Sequence, residues 1–125
     1  MIEFLLLIIS ITLLYILLPV IAIFVFCRRI LTGDWNYAKV WFYATAKEID
    51  IFGNFIGAPL FNWALIKEGG YKFGNRSETI SSVLGKNNRD VTLTRLGKSL
   101  CWLINKMDKN HCENSIMEDV SNTRK

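Results

Sequence analysis

The sequence predicts a mainly α protein: one N-terminal transmembrane helix followed by a small helical, membrane-proximal domain. Three observations predict it. Residues 4–27, FLLLIISITLLYILLPVIAIFVFC, run 24 positions without a charge. All 15 Lys and Arg come after that run. Leu93, Leu96, Leu100, Leu103, Ile104 and Met107 recur at helical spacing near the other end.

A bilayer core of roughly 30 Å takes about 20 apolar residues as a helix, and at ~1.5 Å per residue the first run spans about 36 Å. The run has no polar face, which argues against a buried core helix. No basic residue precedes it, and Phe24-Val25-Phe26-Cys27 offers no small-x-small cleavage site, which argues against a signal peptide. Pro19 predicts a kink that a bilayer tolerates. Arg28 and Arg29 abut the end of the run, so the positive-inside bias places Met1 outside and the C-terminal part in the cytoplasm, a single-pass arrangement. Trp35, Tyr37, Trp41, Phe42 and Tyr43 fit an interfacial aromatic belt or the inner side of an amphipathic helix.

Gly33 ends the first helix, and Asp34 caps a second over about residues 35–50. The stretch 51–66, IFGNFIGAPLFNWALI, is uncharged but interrupted by Gly53, Asn54, Gly57, Pro59 and Asn62. Three readings compete for it: a re-entrant or interfacial segment, the apolar core of a cytoplasmic domain, or a second span. Gly53 and Gly57 form a GxxxG pair, a spacing that lets helices approach closely in a bilayer. Lys67-Glu68-Gly69-Gly70 is a turn, and Tyr71-Lys72-Phe73 a short extended piece. Asn75 then caps a short helix over about 76–84, with Glu78 as its capping-box partner and Gly85 as its stop. Asn75-Arg76-Ser77 is also a glycosylation sequon, which matters only outside the cell. A polar loop at 86–90 leads to the last helix, about 92–108. Residues 113–125 carry few apolar anchors and read as a flexible tail. The expected division is therefore 1–30 anchor, 31–112 helical and partly interfacial domain, 113–125 tail.

Composition narrows the function. About 98 residues follow the first run, enough for one small domain. They hold 15 basic and 10 acidic residues, since Glu3 alone precedes them. That excess suits anionic head groups. It is too diffuse for nucleic acid, with no Arg-rich stripe and no run of five like charges. The three cysteines, Cys27, Cys101 and Cys112, form no CxxC, so a zinc ribbon is not expected. In the cytoplasm Cys101 and Cys112 are expected as free thiols; on the outside they could bridge. Cys27 at the membrane boundary is a small apolar side chain or a palmitoylation site.

Asp108-Lys109-Asn110-His111-Cys112 is the one cluster with catalytic residue types. A nucleophilic Cys needs a base, and His111 is the only histidine. Adjacent residues seldom supply that geometry, and the plain reading is a turn after the last helix. No metal site is expected, and GGYKFGN at 69–75 lacks both GxxxxGK[ST] and GxGxxG, so no nucleotide cofactor is expected.

Gly57-Ala58-Pro59-Leu60-Phe61-Asn62, Tyr71-Lys72-Phe73-Gly74-Asn75, Glu78 through Asn87, Leu93-Thr94-Arg95-Leu96-Gly97-Lys98 and Asp108 through Cys112 together resemble small membrane-associated proteins encoded in tailed-phage and prophage genomes. The resemblance covers about residues 50–117. It implies a setting and no activity.

The expected function is a membrane-anchored, non-enzymatic interaction protein that binds an unknown protein partner, or itself, at the inner membrane face beside the lipid bilayer. Arg76, Glu78, Ser81 and Lys86 are its candidate partner-binding residues, a polar face opposite Ile80, Val83 and Leu84. The alternatives are a structural subunit of a virion or membrane complex, a thiol enzyme using Cys112 or Cys101 with His111, and a small holin-like or superinfection-blocking effector.

Overall fold

The structure, a computed structural model, describes residues 1–118. Among them are five helices and no strand: α1 Ile2–Thr32, α2 Trp35–Ala64, α3 Ile80–Arg89, α4 Arg95–Met107 and α5 His111–Asn114. The mainly α class holds. The chain divides into two compact units, Met1–Thr45 and a second beginning at Ala46. The division falls inside α2 and not after residue 30.

In the first unit, α1 is long and apolar enough to cross a membrane. Its hydroxyls turn back on the helix: Ser10 Oγ donates to the Leu6 carbonyl and Thr12 Oγ1 to the Ile8 carbonyl, both at 2.8 Å. Such internal bonding removes the penalty of a hydroxyl in hydrocarbon. Gly33 stops α1 in the left-handed region at φ 68°, with its N–H on the Arg29 carbonyl. Asp34 Oδ1 then accepts from the Tyr37 N–H at 3.0 Å and opens α2. Arg28 lies over the Tyr37 ring at 4.4 Å and Arg29 over the Trp35 ring at 2.9 Å. These basic–aromatic pairs suit a membrane–water boundary.

In the second unit, the expected break after residue 50 does not occur. α2 runs to Ala64 through Gly53, Asn54, Gly57, Pro59 and Asn62. The apparent breakers serve packing. Gly53 lets Ile80 approach, since a Cβ there would meet Ile80 Cδ1 at 3.0 Å. Asn54 and Asn62 hold the loop that follows. Leu65 and Ile66, just past α2, enter a core with Phe73, Val83, Leu84, Leu93, Cys101 and Cys112. Fully burying side chains such as Leu84 and Leu93 stabilises by about 1.5–3 kcal/mol each. An antiparallel bridge between Ile66 and Leu93 joins the segments before α3 and α4.

α3 starts at Ile80, four residues later than expected, and ends at Arg89. Asn75 is not its cap: its side chain accepts from the Ser77 N–H in a local turn, while Thr79 Oγ1 caps through the Ser82 N–H at 3.1 Å. Asp50 of α2 reinforces the start by accepting from Ile80 N–H at 3.2 Å and Ser81 Oγ at 3.3 Å. A carboxylate there also complements the helix dipole. Gly85 does not stop α3. It lies inside the helix where the Cys112 carbonyl comes so close that any Cβ would collide with it. Gly97 of α4 plays the same part against the Leu65 carbonyl.

α4 occupies the expected stretch, capped by Thr94 Oγ1, but its inner side differs from the Leu stripe. Gly97 and Cys101 are buried and Leu100 and Ile104 half-buried. Leu96, Leu103 and Met107 are exposed, because α4 meets the core through its smaller side chains. The part of the expected tail that is described is packed: α5 covers α3, and Met117 N–H donates to Ser82 Oγ at 2.9 Å. The remainder of that tail, 119–125, lies outside the described residues.

Candidate functional site

The segment 75–87 folds inward. Glu78 has no exposure and Lys86 has 3%, and their charges pair at 2.7 Å. The ammonium meets the carboxylate away from the line a hydrogen bond prefers, so the attraction is Coulombic more than directional. Glu78 Oε1 also accepts from Ser82 Oγ at 2.6 Å, and Oε2 from the Tyr71 hydroxyl at 2.9 Å. Lys86 Nζ lies 4.4 Å from the Tyr71 ring centre. A buried carboxylate with three such neighbours is compensated.

Three asparagines surround this network. Asn54 donates to the Asn75 and Glu78 carbonyls and accepts from the Gly74 N–H. Asn62 clasps Phe73 through both its N–H and its carbonyl. Asn87 accepts from Tyr71 N–H and Thr92 Oγ1 and donates to the Tyr71 and Val83 carbonyls. Each amide uses donors and acceptors together, so the 71–78 loop has its backbone groups satisfied without a sheet.

The expected partner-binding face is therefore corrected. Glu78, Ser81 and Lys86 are buried, held by Ser82, Asp50 and one another, and cannot present a polar surface. Only Arg76 is exposed, with its guanidinium 4.3 Å above the Phe55 ring. It borders a shallow groove with Glu48, Ile51, Phe52 and Phe55. The spacing that hid this was the eight-residue step from Glu78 to Lys86, which spans the cap and two turns of α3.

The cysteines are corrected too. Cys101 and Cys112 are joined as a disulfide inside the core, with Cα atoms 6.1 Å apart, and are not two free thiols. Cys112 is fully buried, and His111 Nδ1 pairs with Asp108 at 2.8 Å. The arrangement needed for a thiol nucleophile with His111 as base is not assembled.

What faces outward instead is apolar. Along α2, Ile49, Phe52, Ile56, Leu60 and Trp63 are all exposed, Trp63 at 81%. They repeat every three or four residues over about 21 Å of helix, on the side opposite Asn54 and Leu65. The GxxxG glycines do not lie on this face. Gly53 is against Ile80, and Gly57 is against Phe61, which itself stacks on Phe73 at 5.3 Å.

The chain matches no family model, and no curated protein or solved structure is significantly similar to it.

Proposed function

We propose that this chain is a membrane-anchored, non-enzymatic interaction protein of phage or prophage origin, with the unit from Ala46 at the inner membrane face. The observation that carries the reading is the exposed apolar and aromatic surface of that unit, Phe52 and Phe55 beside Arg76 included, in a chain with a charge-free run of 24 residues. Contiguous apolar surface on a folded unit marks a place of contact. The groove at Arg76 combines aromatic rings, an Arg and a carboxylate at its rim, a composition that suits a protein partner.

A photocrosslinking residue in place of exposed Ser77, next to Arg76, tests this. A discrete adduct in cells that disappears on Arg76→Ala supports recognition at the groove. A ladder of self-adducts moves the reading to an assembly subunit. No adduct at all sinks the groove as a partner site. The genes adjoining this one test the setting: lysis, tail or immunity neighbours support a phage origin.

A further inference from the structure

We infer that the outer face of α2, Ile49 to Trp63, lies against lipid in the interfacial zone of the bilayer. The inference rests on the proposed membrane anchoring. It names the surface that α2 covers, separate from the groove at Arg76.

The first argument is polarity. The side of α2 turned toward the protein holds Asp50, Asn54 and Asn62, each with its hydrogen bonds made. The outward side holds Ile49, Phe52, Ile56, Leu60 and Trp63, with no charge among them. A surface helix in water shows the opposite arrangement. A helix half-sunk among acyl chains shows this one, because its polar groups must find partners within the protein.

The second argument separates lipid from a second copy of the chain. Close helix pairing in a membrane favours Gly, Ala or Ser at the contact. Here those residues point inward: Gly53 is against Ile80, Gly57 against Phe61, and Ala58 packs on the core. The outward side chains are bulky and project at different heights, a surface that fluid acyl chains accommodate.

The third argument is charge. α4 carries Arg95, Lys98 and Lys106 and no acidic residue. Exposed Leu96, Leu103 and Met107 lie along the same helix, and Lys106 Nζ lies 4.4 Å from the Trp102 ring centre. Basic groups beside aromatic and aliphatic ones complement anionic head groups. The anchor in the same chain keeps a bilayer within reach at high effective concentration.

The test uses the full chain with Trp63 as its sole tryptophan (Trp35→Phe, Trp41→Phe, Trp102→Phe), reconstituted in phosphatidylcholine–phosphatidylglycerol vesicles with plain or dibrominated acyl chains. Bromolipid is expected to cut Trp63 emission at least twofold, while aqueous iodide leaves it nearly unchanged. Equal emission in both lipids with strong iodide quenching would place the face in water and overturn the inference. Equal emission with iodide protection, and self-crosslinking from Leu60→Cys, would place a second copy there and overturn it as well. If the triple substitution loses protease resistance, a spin label at Leu60→Cys in a Cys27→Ser background decides: oxygen access above nickel-chelate access supports lipid contact, and the reverse overturns it. Alkaline carbonate washing separates the two readings. Protein that stays in the vesicles with Trp63 unquenched loses only the lipid docking, whereas protein that washes out loses the anchoring and the docking together.

Discussion

Replacing Glu78 by Gln leaves Lys86 as a nearly unexposed ammonium facing a neutral amide. Removing one partner of a buried pair costs about 3–5 kcal/mol, because the remaining charge keeps its desolvation penalty and loses its counter-charge. Two further bonds change character. Ser82 Oγ at 2.6 Å and Tyr71 OH at 2.9 Å would meet a neutral group, and hydrogen bonds to charged groups contribute roughly twice as much as neutral ones. The aromatic face of Tyr71 at 4.4 Å offsets a small part of this, about 1–2 kcal/mol at most. A net loss of about 4 kcal/mol is a large share of the stability of a small domain, typically about 5–15 kcal/mol. Lys86→Met should cost less, because Glu78 keeps Ser82 and Tyr71. The double variant Glu78→Gln, Lys86→Met should then recover about 1–3 kcal/mol relative to the sum of the singles. The assay must report on the second unit alone, since α1 stays helical in detergent. Urea titration followed by Trp102 fluorescence, with Trp35, Trp41 and Trp63 replaced by Phe, does so. Singles whose midpoints add without coupling would refute the reasoning, because they would show that the two charges do not compensate each other.

Gly85→Ala and Gly97→Ala should each destabilise by about 2–4 kcal/mol, since a Cβ at either site strikes a backbone carbonyl, of Cys112 or of Leu65, which cannot move without displacing its segment; protease protection of full-length protein measures it. Val91 is exposed at φ 58°, a conformation that costs a β-branched residue about 1–2 kcal/mol, so Val91→Gly should raise the unfolding midpoint or leave it unchanged, never lower it. Leu100→Asp should unfold the second unit, whereas Leu103→Asp, at a site 52% exposed, should change its stability by about 0.5 kcal/mol or less; a limited-proteolysis series distinguishes them.

How much of this was legible follows from what each residue reports. Local chemistry was readable: Gly33 stopping α1, Asp34 opening α2, the turn at 67–70 and the extent of α4 all depend on neighbours within four residues. Long-range packing was not. Asn54 and Asn62 carry the composition of a loop, and nothing near them in sequence shows that their amides are used 11 to 24 residues away. Gly85 has the signature of a helix stop, yet it is selected by the approach of Cys112 from α5. The candidate site failed for the same reason. Glu78 and Lys86 look solvated by type, and only the burial of Ser82 and Tyr71 around them turns a charged surface into an internal pair. The outward stripe on α2 was hidden by the apparent breakers, since a face has no meaning until the helix is continuous.

The orientation in the membrane sets charge against sulfur. Arg28, Arg29, Lys39 and Lys47 lie within 20 residues of the end of the charge-free run, and no Lys or Arg precedes it. That asymmetry is what the insertion machinery reads, and it acts before the second unit folds. The Cys101–Cys112 bridge would suit an oxidising compartment, but two cysteines placed this way by the core need no bridge to stay buried. The charge therefore decides the side, and the pair is a dithiol in the cell that closes on oxidation after lysis. By loop entropy, closing a loop of 11 residues adds at most about 3 kcal/mol, so folding does not depend on it. A fluorescent protein fused after Lys125 should glow, and an alkaline-phosphatase fusion there should be silent. Acid-quenched cells denatured without reductant should show Cys101 and Cys112 both alkylated by mass. Strong phosphatase activity with both cysteines protected would reverse the topology, place the second unit outside, and move any partner to the periplasmic or extracellular face.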